Sequence, residues 1–130
     1  MADFERLKQK YAGAISQIES FSDLGASLQQ VDLNGEKLHV KGSVPSRVVL
    51  ERVWDEIKKA DPTYADLHHE IVNTGGDEQA YKIKPADNLS NIAKRFYGQA
   101  SKYAEIAKAN GIKDPDKIQA GQELKLPLLT

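Results

Sequence analysis

The 130-residue chain has no cysteine, one tryptophan and one methionine. Without cysteine there is no disulfide framework, no thiolate zinc site and no thiol nucleophile. A chain this small must then hold its fold by packing alone. Long hydrophobic runs are also missing. No apolar stretch approaches the roughly 20 residues that span a bilayer. The N-terminus, MADFERLKQKYAG, lacks the basic segment and apolar run of a secretory signal, so a cytoplasmic location is expected. A strong charge of one sign is absent too, since the net charge is −1. Residues 1–74 carry −3 and residues 75–130 carry +2, which favours neither nucleic acid nor an anionic membrane as partner. No phosphate-binding glycine loop or nucleophile–base pair stands out, and all three histidines lie before residue 70, so a non-catalytic protein is expected.

What is present is a soluble α+β pattern, with 40% hydrophobic and 28% charged residues. Phe4, Leu7, Tyr11, Ile15 and Ile18 step by three and four, which predicts one amphipathic helix. Two alternating runs follow, 28–33 and 36–41, joined by Asn34-Gly35. That dipeptide predicts a hairpin with positive φ at both residues. Leu38 and Val40 should face inward, and Lys37, His39 and Lys41 outward. Ser46 is placed to cap a helix with Val49, Leu50, Val53, Trp54 and Ile57 on its apolar face, ended by Asp61-Pro62. Residues 66–72 read as a third strand with Leu67, His69 and Ile71 on one side. The predicted order is α-β-β-α-β.

Residues 73–80, NTGGDEQA, pair glycines with polar side chains and have no apolar period. They read as a linker and domain boundary. Each flanking half has its own strands and apolar helical face, so the halves are expected to fold separately. Beyond the linker, a strand at Tyr81–Ile83 runs into Pro85-Ala86-Asp87-Asn88. Asn88 is placed to cap a helix carrying Leu89, Ile92, Ala93 and Phe96, and Gly98 to end it. A second helix, 101–109, shows Tyr103, Ile106 and Ala107 on its apolar side and stops at Asn110-Gly111. Leu124, Leu126 and Leu128 alternate as a closing strand. The order here is β-α-α-β.

His68 and His69 are adjacent, so on a strand they point to opposite faces and cannot share an ion. His39 and His68 share the outer face, but no carboxylate or cysteine spacing completes a ligand set, and no metal site is assigned. His69 reads as a half-buried filler, and Trp54 as a core residue.

Three ordered segments, YKIKPADNLSNIAKRFYG, YAEIAKANGI and PDKIQAGQELKLP, together resemble a LysM domain over residues 80–128. The earlier segments VDLNGEKLHVKGSVPS and ADLHHEIV, with the helix between them, resemble a BON domain. Pro62-Thr63-Tyr64 stands where that family has a small-glycine-valine step. The resemblance implies a BON-like domain at 1–74, a linker at 75–79 and a LysM domain at 80–130. It further implies binding of N-acetylglucosamine glycans of the peptidoglycan or chitin type, by Ala86, Asp87, Asn88 and Leu89 from the first loop and Asn110, Gly111 and Ile112 from the second. Pro115 and Ile118 would lie behind that second loop. The family's glycine-aspartate-threonine is here Ala86-Asp87-Asn88, which keeps the helix cap and alters the ligand edge. The BON-then-LysM order also resembles small bacterial proteins that bind potassium. A cytoplasmic potassium-binding protein whose domains close on the ion is therefore the alternative, and an interaction scaffold the third reading. A monomer is expected, with no cofactor other than potassium.

Overall fold

The computed structural model describes residues 3–129; residues 1–2 and 130, the outer ends of the two expected domains, lie outside the described residues. The chain is α+β, with five α-helices and five strands among the described residues. The N-terminal half runs α1 (Asp3–Lys10), α2 (Ala12–Ser20), β1 (Ser27–Asn34), β2 (Lys37–Val44), α3 (Arg47–Ala60) and β3 (Leu67–Asn73). The C-terminal half runs β4 (Gln79–Lys82), α4 (Leu89–Tyr97), α5 (Tyr103–Ala109) and β5 (Glu123–Leu126).

The sheet β1–β2–β3 is mixed: β1 pairs antiparallel with β2, and β2 pairs parallel with β3 through the α3 crossover. Alternation places Leu38 and Val40 in the core and turns Lys37, His39 and Lys41 outward, as the sequence predicts. The helices cover the apolar side. Leu7, Tyr11, Ile15 and Ile18 are buried along one face, yet the single predicted helix is divided at Tyr11. The Tyr11 hydroxyl is bonded to Asp66, and Lys10 bonds both Asp61 (3.0 Å) and Asp66 (2.8 Å), so this point of the helix is tied to the segment leading into β3.

The hairpin also departs from its predicted form. Asn34 remains in β1, paired with Lys37, and the loop is Gly35-Glu36 with positive φ at Gly35 (+65°). Glycine is favoured at the first position of such a two-residue turn, and the Asn34 amide is used across the sheet instead, 2.9 Å from His68 Nδ1. Ser46 caps α3 as expected, its hydroxyl accepting from the Val49 N–H at 3.2 Å. His69 lies on the inner side of β3, its ring 4.6 Å from Trp54 and 6.0 Å from Tyr64. Burial, and secondarily the neighbouring His68, hold its pKa below the ordinary histidine value.

The segment between the halves is hydrogen-bonded rather than loose. The Arg47 N–H donates to Gly76 O at 2.9 Å, and Thr74 donates to Val44 O through its N–H (2.9 Å) and its hydroxyl (3.0 Å). A Cβ on Gly75 would lie 1.9 Å from Pro45 O, so only glycine passes there. One hydrophobic core joins both halves. Phe21 meets Phe96 with ring centroids 5.2 Å apart, and the Arg95 guanidinium lies over both rings while bonding Asp23 at 2.7 Å. Arg52 Nε donates to Arg95 O at 3.2 Å.

Candidate functional site

The C-terminal half builds an open groove from two turns. In the first, Lys84-Pro85-Ala86-Asp87 closes with the Asp87 N–H donating to Lys84 O at 3.1 Å. Proline at the second position and positive φ at the third (Ala86, +73°) are the marks of a type II turn. Asp87 then faces back into its own loop. Its Oδ2 accepts from the Tyr81 hydroxyl at 2.5 Å and from the Lys84 N–H at 2.9 Å. Burial, then this hydrogen bond, push the Tyr81 pKa up to about 12. Asn88 caps α4 by accepting from the Asn91 N–H at 2.8 Å, and Gly98 ends the helix at φ +77°.

The second turn follows α5. Asn110 locks it to β5: its amide nitrogen donates to Ile106 O and Lys125 O at 2.8 Å each, and its oxygen accepts from the Lys125 N–H at 2.8 Å. Gly111 takes φ +65°, and Ile112 returns to Ala107 O at 2.9 Å. Asp114 accepts from the Asp116 N–H and turns the chain past Pro115.

Between these turns lies a groove of about 540 Å³ lined by Asn88, Leu89, Ser90, Asn91, Tyr103, Pro115 and Asp116. Of the predicted residues, Asn88 and Leu89 are on its wall. Ala86 and Asp87 shape the first turn, and Asn110, Gly111 and Ile112 shape the second without lining the groove. Pro115 is part of the wall rather than behind it. Ser90, Asn91, Tyr103 and Asp116 were not singled out by sequence reasoning. Tyr103, read as part of a buried helical face, is 39% exposed. It opens α5 one turn before the buried pair Ile106 and Ala107, so its ring projects beyond the core they close. That position was the available signal. A ring beside amide, hydroxyl and carboxylate groups offers an apolar face and several hydrogen-bond partners, the combination a small polar ligand needs.

Residues 81–127 match the LysM domain, so the chain contains a LysM domain there. Three relatives are informative. The potassium binding protein Kbp of Escherichia coli O6:H1 is 39% identical over 77 residues, 58% of this chain and 44% of that protein. An esterase of Mycobacterium tuberculosis is 42% identical over 65 residues, 50% of this chain and 14% of the esterase. The chitin elicitor-binding protein of Oryza sativa subsp. japonica is 44% identical over 48 residues, 37% of this chain and 14% of that protein. The matches span less than half the length of each relative. Among the described residues no helix is long and apolar enough to cross a membrane.

Proposed function

We propose that the protein is a non-catalytic glycan-binding protein whose LysM groove takes N-acetylglucosamine-containing chains of the peptidoglycan or chitin type. The observation that carries this reading is the groove itself, with the Tyr103 ring exposed between two turns rigidly held by Asp87 and Asn110. Similarity to a chitin elicitor-binding protein over 48 residues supports it. An acetamido sugar would set its ring or methyl against Tyr103 and exchange hydrogen bonds with Asn88, Ser90, Asn91 and Asp116. A shallow groove binds short ligands weakly, so affinity should rise with oligomer length. The test is a titration with N-acetylglucosamine oligomers followed by backbone amide resonances. Shifts should centre on 88–91, 103 and 116, and Tyr103→Ala should weaken binding about tenfold, or ~1.4 kcal/mol. Unmoved amides at millimolar oligomer would end this reading.

A second reading is favoured by the reach of the similarity to Kbp, which is longer than the LysM match and so includes chain before residue 81. In it the N-terminal half is BON-like and the protein binds potassium. A large monovalent cation is held by several oxygens, backbone carbonyls among them. Gly76 O already accepts from the Arg47 N–H and the Asn73 amide, whereas Gln79 Oε1, three residues on, is buried with no hydrogen-bond partner among the described residues and is an oxygen left to a cation. Potassium should then raise the melting temperature above that in sodium at equal ionic strength. Equal melting temperatures would remove this reading and leave the glycan reading untouched.

A further inference from the structure

We propose that the outer face of the three-stranded sheet holds a divalent transition-metal ion of the zinc, cobalt or nickel type, ligated by His39, His68 and Glu70. The site follows from strand register. In the parallel pair β2–β3, His39 stands opposite His68, and Glu70 lies two residues further on, opposite Lys41. Residues two apart on a strand share a face, so all three side chains rise from the same side of the sheet. On the other flank Asp32 of β1 stands opposite His39. A row Asp32–His39–His68 therefore crosses all three strands, with Glu70 beside it. The His68-x-Glu70 spacing, passed over in the sequence, already puts a carboxylate on the face of His68, and the pairing of β3 with β2 brings His39 to it.

One nitrogen from each ring and one Glu70 carboxylate oxygen lie within 4.8 Å of one another. Tetrahedral ligands at the bond lengths of zinc sites stand about 3.3 Å apart, so only side-chain torsions need adjust. The His39 ring is already oriented at both nitrogens, with Nε2 2.6 Å from Glu70 Oε2 and Nδ1 3.3 Å from Asp32 Oδ1. With Nε2 on the metal, the Nδ1–H donates to Asp32, the arrangement in which a second carboxylate fixes the tautomer of a ligating histidine. Asn34 Nδ2 stands 2.9 Å from His68 Nδ1; turning that amide over presents its oxygen to an Nδ1–H and frees the unprotonated Nε2 for the ion. Two imidazoles and one carboxylate suit borderline cations and not potassium or calcium, which take oxygen. Lys37 and Lys41 share this face, and Asp32 and Glu70 offset their charge. His69 points to the opposite side and takes no part.

The experiment is a zinc titration of the full chain by calorimetry, with imidazole nitrogen resonances read in parallel. Saturable binding of one ion per chain is expected, with shifts of His39 and His68 and none of His69. His39→Ala and His68→Ala should each abolish the saturable isotherm, and Asp32→Asn should weaken it about tenfold. Cobalt should give the visible absorption of a four-coordinate site, an independent signature should either alanine variant fail to fold. Absence of saturable zinc binding to the wild-type chain, or binding unchanged by His68→Ala in a folded variant, would overturn the proposal.

Discussion

At Ala86 one methyl group works against the backbone. Ala86 and Tyr64 are the non-glycine residues with positive φ among the described residues. The type II turn demands that conformation at its third position, and glycine meets it without the steric cost of a Cβ. The surrounding bonds hold the turn regardless, because Asp87 accepts from both Tyr81 and Lys84. Ala86→Gly should therefore stabilise the protein, by about 0.5–1 kcal/mol after the greater freedom of glycine in the unfolded chain is subtracted. Denaturant midpoints measure this, and a lower midpoint for the variant would show that the turn tolerates alanine without strain. The departure from glycine was legible in the sequence. That Asn110 spends its amide on Lys125 of β5 was not, because Lys125 lies 15 residues further on and is brought there by the pairing of β5 with β4 rather than by local spacing.

At the scale of elements, the caps and apolar periods of α3 and α4 were readable, since Ser46, Asn88 and Gly98 act within one turn of their own position. Two things were not. The glycine pair before β4 has the composition of a flexible linker, but Gly75 is set against Pro45 O, thirty residues earlier in the chain. Gly75→Ala should cost about 2 kcal/mol or more, while Gly76→Ala, which meets open space, should stay within about 0.5 kcal/mol of wild type. Similar unfolding midpoints for the two would show the junction to be pliable. The link between α1 and the approach to β3 was equally hidden. Lys10, and after it the Thr63 N–H and hydroxyl, lower the Asp61 pKa from 3.8 to about 2. A carboxylate whose pKa is lowered on folding stabilises fully above its unfolded value, and loses that contribution as pH falls toward its folded one. Stability should thus decline between about pH 4 and pH 2, and a Lys10→Met variant should show a flatter acid limb in unfolding measured across that range.

Over the whole molecule, the shared core couples the halves. Phe21 is fully buried and its ring rests on Phe96 of α4. Phe21→Ala should cost about 3–5 kcal/mol, and the loss should register on both sides of the junction. Trp54 is the single tryptophan and reports on the N-terminal half, while the amides of α4 report on the other. Their midpoints should move together; a shift confined to Trp54 fluorescence would mean that the halves melt independently. The Phe21–Phe96 contact also bears on how such a module travels between proteins. A LysM unit copied elsewhere from this chain would arrive with part of one aromatic ring uncovered and an arginine parted from its aspartate. Its recombination into a new host is therefore conditional: either the host offers an aromatic cover of its own, or position 96 changes before the graft is tolerated.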